Sequence, residues 1–292
     1  MSTPAEASVD RIGVVGGGIM GSGIAEVCLR AGLDVTVVEV SGAAAEAARE
    51  RVRQSLARGV ERGKLEAAEA EGAIARLTCV DDLDAMHDRS IVIEAVVEDQ
   101  KSKAGVFEGL GEIVGDHDAI LASNTSSIPI VQLAAASGDR GDHVLGLHFF
   151  NPVPVLSLVE IIPSLLTSER VVSRARSFVT EQLGKDPIEA PDRAGFTVNA
   201  LLIPYLLSAI RMFEQGLASA QDIDKGMVKG CAHPMGPLAL ADLIGLDTVM
   251  GVAESLYAEH REQLFAPPPL LRRLVSANML GRKTGRGLYS YG

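Results

Sequence analysis

The stretch RIGVVGGGIMGSGIAEVCLRAGLDVTVVE, residues 11–39, decides the fold. Arg11 to Val15 is a short β-branched run that reads as a strand. Glycines follow, then an apolar helical pattern from Ile19 to Ala31, stopped by Gly32. Residues 34–39 (DVTVVE) read as a second strand, with Glu39 at its end. Strand, tight turn, helix and strand within about 30 residues make a βαβ unit. Gly16, Gly18 and Gly21 fill the three glycine positions of a GxGxxG pattern, with Ile19 and Met20 between the last two. Gly16 permits the tight turn, Gly18 lets the backbone approach a pyrophosphate, and Gly21 lets helix and strand pack closely. The helix start at Ile19 and Met20 offers N–H groups and a partial positive charge to phosphates. Glu39 suits the hydroxyls of a ribose and repels a 2′-phosphate, which favours NAD over NADP and leaves FAD as the other dinucleotide. A glycine turn before an ordinary helix is the bland alternative, and the agreement of turn, helix and acid argues against it.

Working outward, residues 43–72 are rich in Ala, Glu and Arg and predict a helical hairpin broken near Gly59 to Gly63. Strands are expected at Ile91 to Val97, Ala119 to Ser123 and Val144 to Phe149, with helical stretches such as 100–115 between them. This alternation predicts an α/β fold with a parallel, doubly wound sheet of Rossmann type. Residues 156–162 read as one more strand. Beyond Pro191 the sequence is helical throughout, over 196–217, 220–230, 236–262 and 268–279. The expected organisation is an NAD-binding Rossmann domain over 1–190, which includes the 43–72 hairpin, and an all-helical domain over 191–292. The long apolar helix faces of the second domain suit substrate binding and a homodimer.

The chain has 292 residues, 47% hydrophobic and 22% charged, so it can bury a sizeable core and is not a disordered chain. Its 27 Lys and Arg against 38 Asp and Glu give a net charge of −11, which argues against general nucleic-acid binding. An anionic ligand therefore needs a local site. Cys28, Cys79 and Cys231 are far apart with no CxxC spacing, so neither a disulfide framework nor a metal site is expected, and free thiols suit the cytoplasm. MSTPAEASVD at the N-terminus does not read as a signal peptide. The most apolar run, Val198 to Ile210, is interrupted by Pro204, Tyr205 and Ser208 and falls short of the ~18 residues of a membrane span.

Catalytic candidates come from HFFNPVPVLSLVEII, residues 148–162. His148 ends a strand in a proline-rich turn, and the chain returns through Ser157 to Ile162. A carboxylate inside an apolar strand is costly to bury unpaired. The return can bring Glu160 beside His148, where it would fix the imidazole tautomer; such a pair suits a general base. A structural histidine and a solvent-facing glutamate are the alternatives. Arg49, Arg51, Arg53, Arg58, Arg62 and Lys64 outnumber Glu50 and Glu61 locally, which fits either an anionic ligand or a solvated helix face.

That active-site stretch resembles the 3-hydroxyacyl-CoA dehydrogenase family. The resemblance runs over nearly the whole chain, through GGGIMGSGIA (16–25), IEAVVED (93–99), ASNTSS (122–127), GFTVN (195–199), HPMGPLALADLIGLD (233–247) and GRKTGRGLYSY (281–291). The short length, without an added hydratase domain, is most similar to the bacterial 3-hydroxybutyryl-CoA branch. The resemblance implies NAD-dependent oxidation of (S)-3-hydroxyacyl-CoA, with His148 as the base, Glu160 orienting it, and Ser126 and Asn199 holding the substrate oxygen. It implies Ala95, Glu98, Lys103 and Asn124 beside the cofactor, although Glu98 and Lys103 also read as an ordinary helix-surface pair. Ser55, Arg62 and Lys64 are its implied contacts for CoA. Where the family often has Pro and Arg, this chain has Ala194 and Ala200, which bears on chain-length preference and domain closure. Dehydrogenases of free β-hydroxy acids share a similar two-domain plan but generally use a lysine base, so the His148/Glu160 pair argues against that reading. The intact Ser126, His148, Glu160 and Asn199 argue against a non-catalytic NAD-binding relative.

Overall fold

The computed structural model describes residues 11–291. The segment 1–10, read above for a signal peptide, lies outside the described residues. The chain divides into two compact units between Asp192 and Arg193.

In the first unit, β1 (Arg11–Val15) enters the glycine turn, α1 (Ile19–Arg30) follows, and β2 (Asp34–Val38) returns parallel to β1. Next come α2 (Gly42–Glu61) and α3 (Ala67–Ala75), then β3 (Leu77–Val80). Ser41 caps α2, its hydroxyl accepting from the Ala44 amide at 3.3 Å. The unit continues as β4 (Ile91–Glu94), α4 (Gln100–Ile113), β5 (Ile120–Ser123), α5 (Ile130–Ala136) and β6 (Val144–Phe149). It closes with β7 (Leu158–Pro163), α6 (Glu169–Ser177) and β8 (Asp186–Glu189). All eight strands form one sheet in the order β3-β2-β1-β4-β5-β6-β7-β8. Buried on both faces, its central strands carry unbroken apolar runs, which is why Ile91 to Ile93 and Ile120 to Ala122 are fully covered. The order reverses between β1 and β4, and a crevice for a dinucleotide opens at the carboxyl ends there.

The second unit is helical: α7 (Val198–Glu214), α8 (Ala220–Gly230), α9 (Pro237–Ile244), α10 (Leu246–His260) and α11 (Pro269–Ser276). Leu206, Ile210, Leu238, Val249 and Leu256 form its core. Buried Asp242 accepts from the Leu288 and Tyr289 amides and the Tyr291 hydroxyl, each at 2.9 Å, and so docks the C-terminal tail onto α9. No helix among the described residues is long and apolar enough to cross a membrane.

Four details depart from the sequence reading. The sheet is not wholly parallel, because β7 runs antiparallel to β6. The connection over 150–157 is too short for the dozen or so residues a parallel crossover needs. β3 and β8 were not expected; each is only four residues long, and β8 carries Asp186, Pro187 and Glu189, which read as loop. The helix expected over 236–262 is two helices, parted at Gly245 with φ +103. The strand expected to Val97 ends at Glu94, and the Ala95 backbone just after it lies against Gly16.

Candidate active site

The glycine turn is built by close approach. Gly16 has φ +94, and a Cβ there would lie 2.8 Å from the Ala95 carbonyl carbon. A Cβ on Gly21 would meet the Gly16 carbonyl oxygen at 1.8 Å. At Gly18 a Cβ would meet nothing within 4 Å, so the backbone is bare on the side where a phosphate approaches. Gly18 is also the N-cap of α1 and supplies no side-chain acceptor, which leaves the start of the helix at Ile19 and Met20 able to receive an anion. Glu39 follows β2, its Oε1 accepting from the Gly17 amide at 2.8 Å. This turn, uncapped helix and oriented acid fit a dinucleotide.

Across the crevice, Glu98 gathers the SNTSS turn. Its Oε1 accepts from the Thr125 hydroxyl at 2.6 Å, the Ser126 amide at 2.9 Å and the Ser127 amide at 3.2 Å. Lys103 is not half of a surface pair: it is 1% exposed and lies 2.7 Å from Glu94 and 3.4 Å from Glu98. Glu94 is not singled out by the sequence, where it is one acid in IEAVVED; its signal is a charge inside the apolar run 91–97. The Asn124 side chain is buried and accepts from the Phe149 amide at 2.9 Å, tying the end of β5 to the end of β6.

His148 and Glu160 are direct partners across the antiparallel β6–β7 pair. Glu160 is fully buried, and its Oε2 lies 2.7 Å from His148 Nδ1. The other ring nitrogen, Nε2, lies 3.0 Å from the Ser126 hydroxyl. With Nδ1 engaged by a carboxylate, Nε2 is the nitrogen that can take a proton from an alcohol. The turn between the two strands is fixed by Lys185, which carries no signal in the sequence. Its Nζ donates to the Val153 and Leu156 carbonyls at 2.8 and 2.6 Å. Burial, with the Arg30 charge nearby, holds the Lys185 ammonium below the usual lysine range.

The basic cluster of 49–64 is divided. Arg49 donates to the Leu77 carbonyl at 3.2 Å, Arg51 to the Gly17 carbonyl at 2.9 Å, and Arg53 pairs with Glu50 at 2.7 Å. Ser55 is half-buried on α2, while Arg62 and Lys64 are exposed just beyond its end. Asn199 is the second residue of α7 and is half-buried in the helical unit.

Residues 11–193 match the family model for the NAD binding domain of 3-hydroxyacyl-CoA dehydrogenase, and residues 195–291 match the model for its C-terminal domain. The chain belongs to the 3-hydroxyacyl-CoA dehydrogenase family. It is 52% identical to a 3-hydroxybutyryl-CoA dehydrogenase of Mycobacterium tuberculosis over 97% of this chain and 99% of that one. Among solved structures, M. tuberculosis FadB2 superimposes with a TM-score of 0.96 at 52% identity, covering 98% of this chain and 100% of that one. The (S)-3-hydroxybutyryl-CoA dehydrogenase PaaH1 of Ralstonia eutropha gives 0.91 at 44% identity, covering 98% and 100%. Within this family setting, the glycine turn lies in the NAD-binding half, as do His148, Glu160 and Ser126, whereas Asn199 lies in the C-terminal half.

Proposed function

We propose that this protein oxidises short-chain (S)-3-hydroxyacyl-CoA to 3-oxoacyl-CoA with NAD, and in reverse reduces acetoacetyl-CoA. The observation that carries the reading is the line Glu160–His148–Ser126, with contacts of 2.7 and 3.0 Å at the carboxyl end of the sheet. Bound NAD supplies the hydride acceptor. His148 Nε2 takes the proton of the 3-hydroxyl as hydride leaves C3. Glu160 keeps Nδ1 protonated and stabilises the imidazolium that forms. The Ser126 hydroxyl donates to the substrate oxygen. Gly16, Gly18, Ile19, Met20, Gly21, Glu39, Ala95, Glu98, Lys103 and Asn124 hold the cofactor. Ser55, Arg62 and Lys64 meet the CoA phosphates; exposure leaves both cations available, whereas Arg49, Arg51 and Arg53 are already engaged.

The helical domain serves as a homodimer surface, an assignment that rests on exposed Leu201, Met212, Leu217 and Leu243. Three unpaired cysteines favour the cytoplasm, one of them being Cys28, whose thiol burial pushes up to about 12. The test is oxidation of NADH with acetoacetyl-CoA and, separately, with free acetoacetate. Turnover of the thioester and not of the free acid is expected. The reverse preference, or no turnover of either, rejects the reading. Sedimentation as a monomer at micromolar concentration rejects the dimer.

A further inference from the structure

Glu94 ends β4 with no exposed surface, beside Ile91, Val92 and Ile93, which are equally covered. Donors converge on its carboxylate. The Val96 amide and the Lys103 ammonium reach Oε1 at 2.6 and 2.7 Å, and the Ser123 hydroxyl reaches Oε2 at 2.6 Å. A buried ion pair contributes little stability over an apolar pair of the same size, so packing does not explain these two charges. Their placement does. The same ammonium lies 3.4 Å from Glu98 Oε2, and the opposite oxygen of Glu98 holds Thr125, Ser126 and Ser127. Ser123, on the other side of Glu94, is the residue from which that turn springs. The turn is therefore tied to one buried carboxylate at its base, directly, and at its rim, through Lys103 and Glu98.

We propose that Glu94 is a positioning residue for the dehydrogenase: it fixes the 124–127 turn and thereby sets the Ser126 hydroxyl 3.0 Å from His148 Nε2. The inference rests on the activity proposed above. Without the Glu94 carboxylate, the Lys103 ammonium has Glu98 as its remaining anion within reach. The tie at the base of the turn, through Ser123, is then lost, and the rim is held by an ammonium that Glu94 no longer fixes. Misplacing a reacting group by about 1 Å can lower a rate about 100-fold.

The test is a double-mutant cycle on acetoacetyl-CoA reduction at saturating NADH, with wild type, Glu94→Gln, Ser126→Ala and the double variant. Glu94→Gln is expected to lower kcat roughly 10- to 100-fold with the acetoacetyl-CoA KM nearly unchanged. In the Ser126→Ala background the same change should lower kcat by less than about threefold, because no hydroxyl remains to be placed. An equal factor in both backgrounds means a general effect on the fold and overturns the role, as does an unchanged kcat. If Glu94→Gln does not fold, Glu94→Gln/Lys103→Met removes the stranded ammonium. That variant should fold and keep a low kcat, since Glu98 has lost its cation; a wild-type kcat overturns the proposal. A wild type without turnover overturns the activity and the role together. An active wild type with multiplying effects overturns the role alone.

Discussion

Replacing Glu160 by glutamine isolates what its charge does. The side chain is fully buried, and its oxygen lies 2.7 Å from His148 Nδ1. Glutamine keeps the shape and an oxygen that accepts the Nδ1 proton, so the neutral imidazole retains its tautomer and the strands their pairing. What disappears is the attraction that exists only while the ring is protonated. Two unit charges about 4 Å apart attract by about 4 kcal/mol at an effective dielectric near 20. A hydrogen bond to a charged group exceeds a neutral one by about 1 to 2 kcal/mol. Taking about 2 to 4 kcal/mol as the range, kcat should fall roughly 30- to 1,000-fold. The assay is gain of NADH absorbance with (S)-3-hydroxybutyryl-CoA and NAD, the direction in which the imidazolium forms, paired with NADH binding read from the cofactor's own fluorescence. The chain has no Trp to interfere with that signal. NADH affinity should stay within about twofold of wild type, because Glu160 is remote in sequence and bonding from the glycine turn. A kcat within about threefold of wild type refutes the argument, and so does a loss of rate matched by an equal loss of NADH affinity.

Other consequences follow from the same geometry. Gly21→Ala places a methyl group 1.8 Å from the Gly16 carbonyl oxygen, so α1 must shift away from the turn. We expect a loss of about 1 to 3 kcal/mol in stability and weaker NADH binding by fluorescence titration; unchanged values in both would reject the close-approach argument. Glu39→Ala removes the acid held by the Gly17 amide, and the ratio of kcat/KM for NADH over NADPH should fall at least about tenfold; a constant ratio removes Glu39 from cofactor choice. Burial raises the Glu259 carboxyl, but the Ala194 amide at 2.7 Å and the Arg193 guanidinium at 2.6 Å outweigh it and leave it below its ordinary value of 4.5. Its contribution to stability is therefore full above that value and lost as pH falls through the lower folded one. Thermal denaturation of Glu259→Gln should show a flatter decline in Tm on acidification below 4.5 than wild type, and parallel declines would count against the linkage.

The parts of this molecule that were legible in the sequence are those where one physical requirement dominates. The glycine turn is readable because Gly16 needs a positive φ and Gly21 allows no Cβ. The change to helix after the sheet is readable because the apolar period changes with it. β3 and β8 escaped because four residues give no period to read, and their pairing is supplied by β2 and β7. Lys103 is named by the resemblance, but its burial is not legible, because it depends on Glu94, which is nine positions away and on another element. Lys185 escaped for the same reason, since its partners are carbonyls of a turn about 30 residues earlier and carry no sequence signature. Nonlocal polar pairing is thus where reading residue types stops short.

The antiparallel pairing of β6 with β7 explains why His148 and Glu160 meet. In a parallel pair, neighbouring strands are separated by a whole crossover, and the side chains facing each other come from distant segments. β6 and β7 are instead joined by a short turn, so His148 and Glu160 face each other as cross-strand partners, with Cβ atoms about 5 Å apart in such pairs. That distance suits an imidazole and a carboxylate without any loop to adjust. It also makes register decisive: a slip of one residue would turn Glu160 to the opposite face of the sheet and set Val159 or Ile161 beside the imidazole. Two features oppose that slip. Val159 and Ile161 are fully buried on the other face, so a slip would force Glu160 into their apolar packing. Lys185 clamps the carbonyls of Val153 and Leu156 and fixes the length of the turn. Since β5 lies next to β6 in the sheet, the turn that leaves it delivers Ser126 to the imidazole's other nitrogen. The Ser126 hydroxyl, on the turn after β5, the His148 imidazole on β6 and the Glu160 carboxylate on β7 thus come together, and the strand pairing sets their distances.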